Sequence, residues 1–338
     1  MILPEIDISP EKLYRMCFAA VQSKLLIAGI RLKVFNRLSE PKTAQQAAAS
    51  IGSHTENTML LLNGLAACGL LSKKNGLYLN TPIAGAFLVE GSDSYLGEGF
   101  IQQADMADMK LDDLIKMVME GPACCASEEK AHSEKKCAEQ AVWMANHERC
   151  GIAQQMASIV SGLPEFESFG KMLDLGGGPG MFGIAMVSQH PNMKGVVFDR
   201  KEVVKVADNF ILNYGLEKRM ETLAGDYNKD PIGEGYDLIW SSSTLNFAQQ
   251  NMDKVMERIY NALNPGGLFI NLSEGLTQEG TQPDFFVFCT LKWAMSNPFK
   301  SFAQGEIADA MIKAGYKSVR SRTLHTGWGI MDLDIARK

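Results

Sequence analysis

Beyond Gly170 the chain changes rhythm: short apolar runs at Lys171–Leu175, Gly195–Phe198, Glu221–Leu223, Leu238–Ser241 and Leu268–Leu272 alternate with windows of helical spacing. Runs this short, apolar on successive residues, suit strands buried on both faces, and strands separated by helices are joined in parallel. The pattern predicts an α/β domain over residues 171–338, a mostly parallel sheet with helices on both sides. The first third reads differently. From Pro10 to about Val34 apolar residues recur at helical spacing (Leu13, Met16, Cys17, Ala20, Leu25, Ile27), which predicts a long, largely buried helix. Thr43–Ile51 reads as an Ala-rich helix stopped at Gly52, and Thr55 opens another through Met59, Leu62 and Leu65. Two β-prone runs about Asn75-Gly76 follow as a hairpin. Helix, helix and hairpin predict a winged-helix domain over 1–97, and the helical, Met-rich stretch 98–170 predicts a connector.

A winged helix can read DNA or serve as a structural or dimerisation module. The helix from Thr55 carries no Lys or Arg before Lys73, whereas a recognition helix needs cations and amides for phosphates and base edges. A net charge of −6 and a pI near 5.5 supply no basic field either, so nucleic acid is not an expected partner. With 46% hydrophobic and 21% charged residues over 338 positions, a folded chain of about two domains is expected. No run of about 18 uninterrupted apolar residues occurs, and the N-terminus (MILPEIDISPEKLYRM) has acids and prolines where a signal peptide needs a basic start. Seven cysteines, an odd number, fit reduced thiols. These features read as a cytoplasmic protein without a membrane partner.

The strongest local signal is Leu173-Asp174-Leu175-Gly176-Gly177-Gly178-Pro179-Gly180, between a strand and a helical window. Glycines let the backbone turn tightly and bring its N–H groups to a ligand beside a helix N-terminus. Asp199 ends the next apolar run, where a carboxylate can take both hydroxyls of a ribose. Two cofactors fit. Gly178, Gly180 and Gly183 satisfy G-x-G-x-x-G, the dinucleotide pattern of an NAD-dependent oxidoreductase. Asp174 with Gly176, Gly178 and Gly180 satisfies D-x-G-x-G, whose acid repels a pyrophosphate but holds an ammonium. S-adenosylmethionine carries an ammonium and a ribose. Gly225-Asp226-Tyr227 after the third strand favours it, because the Asp can accept from an adenine amino group and the aromatic can cover the ring.

These residues resemble the S-adenosylmethionine-dependent O-methyltransferases of the plant caffeate/isoflavone and bacterial polyketide-tailoring type, over nearly the whole chain. Tyr78-Leu79-Asn80-Thr81-Pro82 resembles that family's wing ending, Asn261 to Gly267 its turn before the fifth strand, and Ala314-Gly315-Tyr316 its lead into the last hairpin. The resemblance implies a Rossmann-like class I methyltransferase domain behind a winged-helix dimerisation domain, and a homodimer acting on a small-molecule acceptor. It also implies cofactor binding at Asp174, Gly176, Gly178, Gly180, Asp199, Arg200, Gly225, Asp226, Tyr227, Ser241 and Ser242.

The departures bear on mechanism. Where the family carries a histidine general base in Leu-His-Asp-Trp, this chain reads Thr244-Leu245-Asn246-Phe247, and the family's segment with a steering Glu is replaced by 297–302. Both halves of the base apparatus are expected to be missing. An amide does not take a proton at neutral pH. Three routes remain: transfer by proximity to an acceptor already nucleophilic, with Asn246 orienting it; a base recruited from His147 or His325; or a non-methylating use of the cofactor, as in tailoring hydroxylases similar to the family. Met144, His147, Trp293, His325 and Trp328 are expected to line the acceptor pocket, with Phe286, Phe288 and Met295 in its apolar wall. Cys124, Cys125, His132, Cys137, His147 and Cys150 are metal-ligand types without C-x-x-C or H-x-x-x-H spacing, so they are read as packing thiols and no metal is assigned.

Overall fold

A computed structural model describes residues 7–121, 134–296 and 301–338, and the chain divides into two units, Met1–Asp108 and Met109–Lys338. In the first, α1 (Glu11–Arg31), α2 (Val34–Arg37), α3 (Ala44–Ile51) and α4 (Thr55–Ala67) precede α5 (Pro82–Phe87) and α6 (Gly97–Ala107). Thr43 starts α3 with a reciprocal cap: its Oγ1 accepts from the Gln46 N–H, and its own N–H donates to Gln46 Oε1. The hairpin turns on Asn75 (φ 51°) and Gly76 (φ 79°), both in the left-handed region that a two-residue turn requires. Its strands β2 (Leu71–Lys74) and β3 (Leu77–Asn80) are joined by a short β1 (Lys42–Thr43) in the order β1-β3-β2. Phe35, Leu38, Leu62, Leu65 and Tyr78 fill the core, and Phe100 and Ile101 of α6 pack on it, so α6 belongs to this unit.

One expectation fails here. α1 is not largely buried: Leu13, Tyr14, Met16, Phe18 and Val21 are each 51–65% exposed, and only Gly29 and Ile30 are buried. The rest of the unit packs only on the helix's C-terminal turns, around Leu25 to Ile30.

The second unit begins with α7 (Leu111–Glu120), α8 (Glu134–His147) and α9 (Ala153–Ser161). A seven-stranded sheet follows, built from β4 (Lys171–Leu175), β5 (Lys194–Asp199), β6 (Met220–Ala224), β7 (Tyr236–Ser242), β8 (Leu263–Ser273), β9 (Ser318–Thr326) and β10 (Gly329–Arg337). Their order is β6-β5-β4-β7-β8-β10-β9, with β4 to β8 parallel and β10 antiparallel to both neighbours. All five predicted parallel strands are present. α9, α10 (Met181–Gln189) and α11 (Lys201–Asn213) cover one face, and α12 (Met252–Ala262) and α14 (Glu306–Lys313) the other, while α13 (Asp284–Ser296) lies between β8 and α14 in sequence. The chain leaves β4 toward β5 and returns to β7 on its other side, so a crevice opens between the C-terminal ends of β4 and β7.

Candidate active site

The crevice holds a cavity of about 280 Å³. Its wall takes Asp174 from β4 and Gly176, Gly177 and Gly178 from the loop after it, Asp199 and Arg200 from the end of β5, and Gly225 to Asn228 after β6. Met144 and Glu148 come from the region of α8, and Ser242 to Thr244 and Phe247 from beyond β7. The glycine loop is held by its neighbours: Gly176 N–H donates to Phe198 O at 2.8 Å, and Gly178 N–H to Asp199 Oδ2 at 2.8 Å. Gly176 adopts φ +62°, and a methyl there would lie 2.2 Å from Thr244 Oγ1, so the close approach requires glycine. Gly180 (φ 77°) caps α10 from outside the cavity wall.

Asp174 is 2% exposed, and its Oδ2 accepts from the Gly183 N–H at 2.9 Å. Burial pushes its pKa up to about 7, against the pull of that bond and with help from the Asp199 charge. Asp199 is half-buried, accepts from the Gly178 and Arg200 N–H groups, and is raised by burial. Tyr227 is buried with its hydroxyl donating to Thr244 O at 2.6 Å, and Asp226 takes the Asn228 N–H at 3.0 Å. Three buried wall atoms, Glu148 Oε2, Asn228 Oδ1 and Ser242 Oγ, have no hydrogen-bond partner among the described residues. The wall thus offers carboxylates and unfilled polar atoms to a ligand with a diol and a cation. Ser241 is a correction: strand alternation turns it to the opposite face, where it is fully buried and donates to Asn271 Oδ1 at 2.8 Å.

The expected acceptor residues are spread wider. His147 stacks edge-on with Trp143 (centroids 4.4 Å apart) and Trp328 (6.5 Å), and burial lowers its pKa toward a neutral imidazole. Trp293 meets Phe247 edge-to-face at 6.4 Å. His325 is another correction: it lies exposed on the edge strand β9, outside the cavity wall, with its carbonyl accepting from Gln155 Nε2 at 2.9 Å. Phe286 is buried in the core and Phe288 is 71% exposed, so neither walls the cavity. Cys124, Cys125 and His132 lie outside the described residues, as do 297–300.

Asn246 has a carboxylate partner from the end of another strand. Asn246 Nδ2 donates at 2.7 Å to Oε1 of Glu274, the residue after β8, which is 6% exposed. Burial raises the Glu274 pKa, against the bonds from Asn246 and Ser301. Sequence reading passed over Glu274 and Glu148. The signal for Glu274 was present, since it directly follows the fifth strand as Asp174 and Asp199 stand near the tips of the first and second.

Residues 126–297 match the O-methyltransferase domain model, and residues 14–90 the O-methyltransferase dimerisation domain. An uncharacterized protein of Methanocaldococcus jannaschii is 30% identical over 315 residues, covering 88% of this chain and 79% of that protein. The N,N-dimethyltransferase OxyT of Streptomyces rimosus is 26% identical over 266 residues, 76% of each chain. The solved structure of human N-acetylserotonin methyltransferase in complex with SAM is similar in fold, with a TM-score of 0.77 at 22% identity over 100% of this chain and 99% of that one. Between the two cofactors left open by the glycine loop, this decides for S-adenosylmethionine. The chain belongs to the O-methyltransferase family and is an S-adenosylmethionine-dependent methyltransferase.

Proposed function

We propose that this methyltransferase acts on a small, flat acceptor seated between Met144, Phe247 and Trp293, with Glu274 rather than a histidine receiving the acceptor's proton. The observation that carries the reading is the Asn246–Glu274 bond beside the cofactor cavity. The cavity suits the cofactor because it joins Asp199 at the ribose position, Asp226 and Tyr227 at the adenine position, and the orphaned Glu148, Asn228 and Ser242 atoms. When bound, S-adenosylmethionine supplies a methyl group on a sulfonium, already activated for transfer. What remains for the chain is to align the acceptor and manage its proton.

Asn246 is committed to Glu274 and fixes that carboxylate's direction. Glu274, with its proton affinity raised by burial, is better matched than an exposed carboxylate to taking a proton from a hydroxyl near neutral pH. His147 is the second reading for the base, favoured by the burial that keeps its imidazole neutral and by its contact with Trp328. The test is a methylation screen with phenols, catechols, thiols and amines read by mass, on wild type, Glu274→Gln and His147→Ala. Loss of phenol methylation only in Glu274→Gln supports the reading. Loss only in His147→Ala moves the base there, and no acceptor gaining a methyl overturns methyl transfer to small flat molecules.

The dimerisation-domain match extends to a proposed homodimer. The apolar face of α1 (Leu13, Tyr14, Phe18) is long and apolar enough for a membrane span by composition, but its position in that domain supports a protein partner, a second copy. Phe18→Glu should convert the dimer to a mass of 37.1 kDa by light scattering. A wild-type chain already at that mass at micromolar concentration removes the proposal.

A further inference from the structure

Glu148 sits where α8 breaks before α9. The π-turn Glu148–Ile152 passes through Gly151 at φ +127°, and Gln154 fastens it, accepting from Gly151 N–H at 3.1 Å and donating to Arg149 O at 2.6 Å. The break places Glu148, 3% exposed, in the same cavity wall as Asp174. The two buried acids differ in one respect. Asp174 Oδ2 accepts from the Gly183 N–H, whereas Glu148 Oε2 has no partner among the described residues. A buried carboxylate without a donor is costly, and the cost is removed either by a proton or by a cationic donor.

The protein supplies little of that. The titratable and charged groups facing this wall are Cys137 from α8, Asp174 within β4, Asp199 and Arg200 at the end of β5, and Asp226 and Tyr227 after β6. Arg200 is the one cation among these described residues, and it adjoins Asp199, whose Oδ1 takes the Arg200 N–H. We propose that Glu148 is a second carboxylate for the α-ammonium of S-adenosylmethionine, completing with Asp174 a two-acid clamp. This rests on the cofactor placement above. The cofactor has a second cation, the sulfonium, but that group has no N–H and leaves Oε2 without a donor, whereas an ammonium has three.

Burial, with the Asp174 charge, raises the Glu148 pKa well above its ordinary value, and Asp174 is pushed up to about 7. Without the cofactor the pair therefore favours the protonated form more than free carboxylates do, and an arriving ammonium shifts it toward the charged form. Affinity should rise with pH through neutrality, and binding should release protons.

The experiment is calorimetric titration of the full chain and of Glu148→Gln with S-adenosylmethionine, S-adenosylhomocysteine and 5′-methylthioadenosine. The last lacks the amino-acid tail. Each is titrated at pH 7 in two buffers of different ionisation enthalpy. Glu148→Gln should weaken S-adenosylmethionine and S-adenosylhomocysteine alike, by roughly ten- to a hundredfold, leave 5′-methylthioadenosine unchanged and reduce the proton release. Retained 5′-methylthioadenosine binding reports an intact pocket. Weakening of S-adenosylmethionine alone would place Glu148 at the sulfonium and overturn the clamp, as would equal weakening of all three or of none. A wild-type chain that binds none of the three brings down the cofactor placement itself, and the clamp with it.

Discussion

The two sides of the crevice are built in different ways. On the side of β4, β5 and β6 the wall comes from runs of neighbouring residues at or just past strand ends: Asp174 to Gly178, Asp199 with Arg200, and Gly225 to Asn228. On the side of β7 and β8 the groups that meet are far apart in sequence. Asn246 and Glu274 are separated by 28 positions, His147 meets Trp328 from the last hairpin, and Phe247 meets Trp293 of α13. One side reads its ligand largely with backbone and acids fixed to strand ends. The other depends on side chains brought together by packing. Substitutions on the first should therefore change cofactor affinity without touching the chemistry, and those on the second should do the reverse.

The largest effect is expected from Glu274→Gln, which should lower kcat on a phenolic acceptor by about 10²–10⁴-fold with cofactor affinity unchanged. Because burial raises the Glu274 pKa and the base works deprotonated, wild-type activity should fall as pH drops through that raised value, and the variant's pH–rate profile should lose this limb. A profile that follows the acceptor's own ionisation instead would assign the proton's departure to solvent. Next comes Asp199→Ala, expected to weaken S-adenosylmethionine by about 1.5–3 kcal/mol in calorimetry while kcat at saturating cofactor holds. A fall in kcat at saturation would erase the division between the two sides. Asn246→Ala should cost less, about 0.5–1.5 kcal/mol in kcat/KM. It also removes a donor that lowers the Glu274 pKa, so the acid limb should move to higher pH. His325→Ala should change neither kinetics nor affinity, since that ring lies exposed on β9; a shifted KM for the acceptor would extend the site to the sheet edge.

The same division explains what could be read in advance. The sheet was legible because each strand is a short apolar run bounded by turn residues, and the cofactor side because its glycines and acids act within a few positions of one another. The α1 burial was misjudged because helical periodicity reports an apolar face and is silent on what covers it. Ser241 and Ser242 show a finer limit. Adjacent in sequence, they go to opposite faces of the sheet, and only the register of β7 between β4 and β8 decides which one meets the cavity. The segment around Asn246 gives no sign of what its side chain contacts. Its partner comes from the end of another strand, and pairing across that distance is set by the crossover through α12.

Thr244 ties the two sides together. Its side chain packs against Gly176 of the glycine loop, its carbonyl and hydroxyl hold the Tyr227 hydroxyl, and it stands two residues before Asn246. In the proposed placement of the adenine against Tyr227, one threonine links that ring to the turn that carries Asn246. The expected outcome is an order of arrival: steady-state kinetics should show the acceptor's KM depending on cofactor concentration, in the manner of a compulsory-order enzyme whose first guest sets the seat for the second.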